Sequence, residues 1–198
     1  MTSSLHSFVK EIRMTDNNNI TYDRTSYILV VDDDKTLLKF FKIHLNKFFS
    51  RVIVVKNAKE AVEMLKDKEV DLVISDIRMP RTDGIQLMKK VRNFDSSIPV
   101  MLISGAMLTD EQTAITEEVA DGFLRKPFSV DELHGLIDFG MAMREKLKEL
   151  KTIVPDNKRL RDILRGKAKI KSLPVEKNLI ARAEALYSDL KSEMKKAS

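Results

Sequence analysis

Charged and polar side chains follow the ends of four short apolar runs in this sequence. They are Asp32, Asp33 and Asp34 after the first run, Asp76 after the third, Ser104 after the fourth and Lys126 after the fifth. Clustered carboxylates repel one another unless a cation lies among them. Their oxygens suit Mg²⁺, and the Lys126 ammonium adds a fixed positive charge. A carboxylate beside Mg²⁺, a lysine and a hydroxyl has what is needed to neutralise a phosphoryl group during in-line transfer.

The sequence lacks the residues that other kinds of site require. The sequence has neither GxxxxGK[ST] nor GxGxxG, so it predicts a site for a single phosphoryl group and not for a nucleotide. No Ser–His pair suggests acyl transfer, and the absence of cysteine excludes disulfides and thiolate chemistry. His6, His44 and His134 are too scattered along the chain to suggest a zinc site, and we interpret them as ordinary surface or boundary residues.

The elements that must position these side chains alternate regularly. Five apolar runs predict strands at 27–31, 52–55, 72–75, 99–104 and 122–125. Between and after them, helical spacing or capping residues predict helices at 34–49, after Asn57, after Asp83-Gly84, from Thr109 and after the Ser129 capping box. This alternation is typical of an α/β domain with a parallel sheet. The strand-end residues then converge at the carboxyl edge of that sheet.

Four segments carry a family resemblance. Residues 28–33, 72–80, 99–105 and 123–128, in this order and at this spacing, resemble the receiver domain of two-component response regulators. The resemblance covers about residues 25–140. It implies a flavodoxin-like, doubly wound, five-stranded parallel sheet, to which the rest of this chain adds a small α-helical C-terminal appendix.

The resemblance also implies roles for the strand-end residues. Asp76 is expected to accept the phosphoryl group, assisted by Ser104 and Lys126. The metal ligands, for Mg²⁺, are expected to be Asp33 directly, Asp32 nearby or through water, Asp76, and the backbone carbonyl of Arg78.

Two further expectations concern the residues that move on phosphorylation and the roles of the three consecutive aspartates. Ser104 and Phe123 are expected to move on phosphorylation, although Phe123 also fits a plain core aromatic. The Lys126-Pro127 bond matches one that is cis in the family. Asp34 either caps the following helix or shares the metal role of its two neighbours.

Charge and periodicity divide the chain into three parts. Residues 1–24 are interpreted as a flexible arm, 25–140 as the receiver domain, and 141–198 as a basic helical extension with 16 Lys and Arg against 8 Asp and Glu. Steps of three and four between apolar residues predict that the last receiver helix continues to Pro155. It is expected to pack against later helices of the chain or another protein. Further helices are predicted at 158–165 and after Pro174.

The function predicted from these features is that of a response regulator, not an enzyme beyond assisting its own phosphorylation and dephosphorylation. Expected partners are a sensor histidine kinase or phosphotransfer protein and a downstream protein. The basic extension leaves open a DNA-binding transcriptional regulator acting through 141–198, and a homodimer is a further option. A phosphatase-like hydrolase fits the motifs less well. Without an apolar signal segment or a membrane-spanning run, the sequence predicts a cytoplasmic location.

Overall fold

A five-stranded parallel sheet forms the centre of the protein. The computed structural model describes residues 24–80, 83–105, 120–164 and 183–192. The strands are β1 (Tyr27–Val31), β2 (Arg51–Val55), β3 (Val70–Asp76), β4 (Val100–Ser104) and β5 (Gly122–Arg125). Their order is β2-β1-β3-β4-β5, and every neighbouring pair is parallel. This is the doubly wound, flavodoxin-like order, so the predicted fold class is confirmed.

Helices connect and follow the strands. They are α1 (Lys35–Leu45), α2 (Ala58–Asp67), α3 (Gly84–Phe94), α4 (Val130–Ile153) and α5 (Asn157–Leu164), and residues 183–192 are also helical. The side chains of Asp34, Asn57, Asp83 and Ser129 accept hydrogen bonds from backbone N–H groups at the starts of α1 to α4. The Ser129–Glu132 capping box is confirmed.

The first predicted helix was too long. It was expected to reach Phe49, but α1 ends at Leu45 and residues 46–48 form turns. The apolar periodicity continues because Phe49 is fully buried, yet the chain must reverse there to enter β2 at Arg51. The helix predicted from Thr109 and the arm predicted at 1–24 lie outside the described residues, apart from Arg24.

Alternate strand residues divide the core into two layers. Ile28, Val30 and Ile74 face a cluster formed with α1 and α4. Leu29 and Val73 face the opposite cluster, formed with α2 and α3. Because both faces are covered by helices, the strands are apolar along nearly their whole length, as expected for a parallel sheet.

The long helix α4 continues well past the sheet. It runs to Ile153, ends at the C-cap residue Val154, and is followed by Pro155, as predicted. Its last turns form an apolar cluster with later parts of the chain: Leu150, Ile153, Val154, Leu160, Ile163 and Ala183. The expectation that this helix packs against the chain's own later helices is confirmed. No helix within the described ranges is both long and apolar enough to cross a bilayer.

Ion pairs fasten the second half of α4 to the receiver fold. Arg144 contacts Asp71 at the start of β3 (Nε to Oδ1, 3.4 Å), and Lys148 contacts the same carboxylate (Nζ to Oδ1, 2.8 Å). Lys151 contacts Asp95, the C-cap residue of α3 (Nζ to Oδ1, 2.6 Å). The extension is therefore joined to the amino-terminal edge of the sheet, opposite the strand-end residues.

Candidate functional site

The predicted acidic residues and the lysine meet at the carboxyl edge of the sheet. Lys126 Nζ lies 2.7 Å from Asp76 Oδ1 and 2.8 Å from Asp32 Oδ2. Both carboxylates are buried, at 7% and 3% exposure, whereas the Lys126 side chain retains 24%. One ammonium thus bridges two carboxylates that come from strands β1 and β3.

Backbone donors complete the polar contacts of these two carboxylates. Asp76 Oδ2 accepts a hydrogen bond from the Arg78 backbone N–H at 2.7 Å, and Asp32 Oδ1 accepts one from the Asp34 backbone N–H at 2.8 Å. A carboxylate held on both oxygens keeps one orientation. Asp76 is therefore presented in a fixed position at the rim of the sheet.

Close packing of the chain near the site sets the position of Asp76 and Lys126. A Cβ added at Gly84 would lie 2.2 Å from the Asp76 carbonyl oxygen, so α3 approaches the end of β3 as only glycine allows. Lys126 donates its backbone N–H to the Ser104 carbonyl at 2.8 Å, and the following Lys126-Pro127 bond is cis, as expected. The hydrogen bond to Ser104 holds the Lys126 backbone at the end of β4, and its side chain reaches Asp76 and Asp32 from there.

At this site, burial and the hydrogen bonds of Lys126 shift the pKa values of the ionisable groups in opposite directions. Burial raises the pKa of Asp76, and the neighbouring Asp32 carboxylate adds to this, while Lys126 and the Arg78 N–H partly offset it; the net pKa is above its usual value. For Lys126, burial lowers the pKa, but the hydrogen bonds that its ammonium donates to both carboxylates outweigh burial, and the net pKa is raised. Lys126 is accordingly cationic at neutral pH.

The three consecutive aspartates occupy three different environments. Asp32 is buried against Lys126, whereas Asp33 and Asp34 are exposed. The Asp34 carboxylate accepts hydrogen bonds from the N–H groups of Thr36 and Leu37, so it caps α1. The capping interpretation of Asp34 is confirmed, and Asp33 is the aspartate whose carboxylate faces solvent beside the site.

The two predicted switch residues lie on neighbouring strands. Ser104 is the last residue of β4 and is buried at 1% exposure. Phe123 pairs in register with Leu102, is half-buried, and packs against the core cluster on the α2 and α3 side of the sheet. This packing agrees with Phe123 as a core aromatic, while its partial exposure leaves room for the predicted motion.

The donor set at the rim fits Mg²⁺. Mg²⁺ keeps several waters and usually takes one or two protein carboxylates. Asp33 offers an exposed carboxylate, Asp76 offers a second, and the Arg78 residue that donates to Asp76 also carries the expected carbonyl ligand. Within the described ranges, no three His, Cys, Asp or Glu side chains form a group that could hold a metal ion.

Two histidines that sequence reasoning had treated as scattered meet in space. His44 Nε2 of α1 and His134 Nε2 of α4 are 2.8 Å apart, although 90 residues separate them in the chain. Both side chains are half-buried, which agrees with their interpretation as boundary residues, but their contact with each other was not predicted. No local sequence signal indicated the contact, because it depends on how α1 packs beside α4.

Comparison with known proteins is consistent with this geometry. A family model described as the response regulator receiver domain matches residues 28–138. The chain is 30% identical over 121 residues to the transcription factor SKN7 of Saccharomyces cerevisiae, covering 61% of this chain and 20% of that protein. It is 35% identical over 115 residues to the transcriptional regulatory protein ZraR of Klebsiella oxytoca, covering 58% and 26%. The chain thus spans about a fifth to a quarter of these curated relatives.

One of the similar solved structures contains bound ligands. The response regulator protein TrrA of Thermotoga maritima, in complex with Mg²⁺ and BeF, matches with a TM-score of 0.51 and 25% identity, covering 58% of this chain and 97% of that one. Asp32, Asp76, Ser104 and Lys126 all lie within residues 28–138, the part of the chain that the family model matches.

Proposed function

Because this chain belongs to the response regulator receiver domain family, we propose that it accepts a single phosphoryl group on Asp76 and signals as a two-component response regulator. The observation that carries the proposal is the bridge from Lys126 to the buried carboxylates of Asp76 and Asp32. Such a bridge places a fixed cation where phosphoryl oxygens would otherwise meet two negative charges.

The proposed transfer step uses residues of this chain together with one bound Mg²⁺. One Asp76 carboxylate oxygen attacks the phosphorus of a phosphohistidine; the new O–P bond forms as the N–P bond breaks, and the imidazole leaves with its electron pair. Lys126 pairs with a phosphoryl oxygen, and the Ser104 hydroxyl donates to another. Mg²⁺, held by Asp33, Asp76 and the Arg78 carbonyl with Asp32 nearby, would neutralise the charge that develops on the phosphoryl oxygens.

The proposed partners follow from this chemistry. The phosphodonor is a sensor histidine kinase or a phosphotransfer protein, which we place with this protein in the cytoplasm. The chain itself is an acceptor that assists its own phosphorylation and dephosphorylation, and it turns over no separate substrate.

We further propose that the output passes through a protein–protein surface, with residues 25–140 as the receiver domain and 141–198 as its extension. Two described helices of the extension bury apolar side chains against α4, among them Leu160, Ile163 and Ala183. Because α4 continues without interruption across the boundary near residue 140, the extension is positioned by the receiver fold. This packing favours a joint surface over an independently moving module.

Phosphorylation with a radiolabelled small phosphodonor and Mg²⁺ tests the acceptor. We expect one phosphoryl group per chain, stable in acid and labile in base as an acyl phosphate is, and its loss in Asp76→Asn. Asp83→Asn is the matched control, because Asp83 caps α3 outside the site and asparagine caps equally well. Stoichiometric labelling of Asp76→Asn, or loss of labelling in the control, would contradict the assignment.

The DNA-binding alternative rests on the net charge of +8 in residues 141–198 and requires its own measurement. Electrostatic DNA binding weakens steeply with salt, by a slope set by the number of phosphates contacted. Binding of the phosphorylated chain to duplex DNA, measured at several salt concentrations, separates the two outputs. Sequence-specific binding that persists at physiological salt would favour the alternative over a protein partner.

A further inference from the structure

The His44–His134 pair lies outside the phosphorylation site and on the α1 and α4 side of the sheet. The two Nε2 atoms are 2.8 Å apart, so one ring donates a proton and the other accepts it with its lone pair. Both side chains are half-buried and reachable from solvent. The phosphorylation mechanism uses neither of them.

Aromatic neighbours orient both rings toward the shared point. The His44 ring stacks on Phe40, with centroids 5.4 Å apart and an interplanar angle of 12°. The His134 ring meets Phe48 edge to face, with centroids 4.9 Å apart and an angle of 85°. Because these contacts hold the ring planes, the convergence of the nitrogens needs no rearrangement of the backbone.

The spacing of the nitrogens is close to that of two ligands on one metal ion. Two imidazole nitrogens bound at about 2.1 Å are about 3.0 Å apart when the angle at the metal is about 90°, and about 3.4 Å apart in a tetrahedral site. From 2.8 Å, the nitrogens must separate by about 0.2 Å for the first geometry and about 0.6 Å for the second, and each ring must turn so that its lone pair points beside the N···N line. A metal ion that replaces the shared proton would therefore bind beside the line between the two nitrogens, after rotation of the two side chains and with no change of the backbone.

From this geometry we propose that His44 and His134 form a two-histidine site for a divalent transition metal ion that favours imidazole, such as Zn²⁺ or Ni²⁺, which cross-links α1 to the first turns of α4. Solvent completes the coordination shell. The site is separate from the Mg²⁺ site, whose ligands are oxygen atoms at the carboxyl edge of the sheet.

Some charges around His44 favour a bound cation, and others oppose it. His44 lies in the last turn of α1, where helix carbonyls favour a cation, whereas the nearby Lys47 charge opposes one. Burial and Lys47 lower the pKa of His44, so its imidazole is neutral at neutral pH, as a metal ligand must be.

Calorimetric titration of the full chain with Zn²⁺ tests the site, in excess Mg²⁺ so that the carboxylate site is filled. We expect one equivalent to bind to the wild type and at least tenfold weaker binding in His44→Gln and in His134→Gln. His6→Gln is the matched control and should bind as the wild type does. Melting temperatures of all variants in chelator verify that the substitutions leave the fold intact.

A second readout uses the unaltered protein. Zn²⁺ should shift the imidazole Cε1–Hε1 resonances of two of the three histidines, and it should raise the melting temperature of the wild type but not of His44→Gln. Unchanged Zn²⁺ affinity in both variants, loss of affinity in His6→Gln, or no binding to the wild type would each overturn the proposal. In any of these outcomes the pair is a hydrogen-bonded contact between helices, and the proposed phosphorylation of Asp76 is unaffected.

Discussion

At the scale of single residues, Lys126 sets the balance of charge at the carboxyl edge of the sheet. Its ammonium contacts Asp76 and Asp32 at the same time, so the two buried carboxylates share one positive charge. The charge balance remains negative, which favours a further cation. Asp33, which follows Asp32 in the chain and is exposed, is the residue that we propose binds this cation.

The first residue-scale prediction concerns this aspartate. Asp33→Ala should weaken Mg²⁺ binding at least tenfold and slow phosphorylation of Asp76 to a similar degree, because metal neutralisation supplies much of the transition-state stabilisation. Calorimetry with Mg²⁺ and labelling kinetics measure the two effects. Asp34→Asn is the control, since asparagine preserves the α1 cap. Unchanged Mg²⁺ affinity in Asp33→Ala would transfer the ligand role to Asp32 or Asp34.

The second residue-scale prediction concerns the lifetime of the phosphorylated state. Arg78 is exposed, two residues after Asp76, and its backbone N–H already contacts the acceptor carboxylate. We expect its long cationic side chain to hinder the approach of water, so Arg78→Ala should change the dephosphorylation rate several-fold while Arg78→Lys changes it less. Decay of the radiolabel measures both rates. Equal decay rates in the three proteins would mean that only the Arg78 backbone matters.

At the scale of elements, the junction of β3 and α3 positions the acceptor. Gly84 begins α3, donates its N–H to the Ile77 carbonyl at 2.9 Å, and lies against the Asp76 carbonyl. A side chain at this position would push a backbone atom, which cannot rotate out of the way. The acceptor geometry thus depends on how closely one helix start approaches one strand end.

A substitution at this junction gives the element-scale prediction. Gly84→Ala should lower the free energy of unfolding by about 1–3 kcal/mol, the usual cost of overpacking, and should slow phosphorylation because the end of β3 shifts. Gly105→Ala is the control for stability alone, because its added Cβ would make an ordinary contact, at 3.4 Å, with the Lys126 side chain. Urea denaturation and labelling kinetics are the measurements. Equal stabilities of the two variants would show that α3 moves away without cost.

At the scale of the whole molecule, α4 joins opposite ends of the protein. It starts after the Lys126-Pro127 segment near the phosphorylation site and ends in the apolar cluster of the extension. Arg144 and Lys148 attach its second half to Asp71, and Lys151 attaches it to Asp95. The extension is therefore fastened at the sheet edge farthest from Asp76.

This attachment predicts a dependence of stability on pH. Burial raises the pKa of Asp71, but Lys148, the Tyr27 N–H and Arg144 outweigh burial, so this pKa lies below its usual value. Burial also raises the pKa of Asp95, but Lys151 and Ser97 outweigh it, and this pKa is lowered as well. A carboxyl group with a lowered pKa in the folded state stabilises the fold above its unfolded pKa, near 4. That stabilisation is lost as the pH falls through the folded pKa.

Urea denaturation at pH 7 and in the acid range below about pH 4 measures this effect. Asp71→Asn should lose less stability on acidification than the wild type, because it lacks the carboxyl group whose pKa the ion pairs lower. Asp67→Asn, which changes an exposed carboxylate at the end of α2, is the control and should match the wild type. An Asp71→Asn protein as acid-sensitive as the wild type would show that these ion pairs add no net stability.

A last whole-molecule prediction concerns signal transmission. We expect phosphorylation of Asp76 to draw Ser104 toward the new oxygens and to shift Phe123, biasing a two-state surface that includes α4. Hydrogen exchange should then change both near Phe123 and in residues 141–154. A near-complete switch needs ~5 kcal/mol of differential stabilisation. If exchange changes near Phe123 but not beyond Met141, the attached extension is a constant anchor and does not transmit the signal.

The sequence by itself determined the strands, the fold class and most of the residues that meet at the carboxyl edge of the sheet. Continuous apolar runs predict buried parallel strands, and residues at strand ends converge by topology alone, so Asp32, Asp76 and Lys126 were predictable without coordinates. Local caps such as Asp34 and Ser129 were equally predictable, because their hydrogen bonds reach only three residues along the chain.

Only the tertiary structure decided the contacts between distant segments. Arg144 with Asp71, 73 residues apart, and His44 with His134, 90 residues apart, depend on the angle and depth at which helices pack on the sheet. The end of α1 at Leu45 was likewise missed, because the apolar periodicity runs on to a buried Phe49. Periodicity records which side chains are buried, whereas packing geometry determines which of them meet.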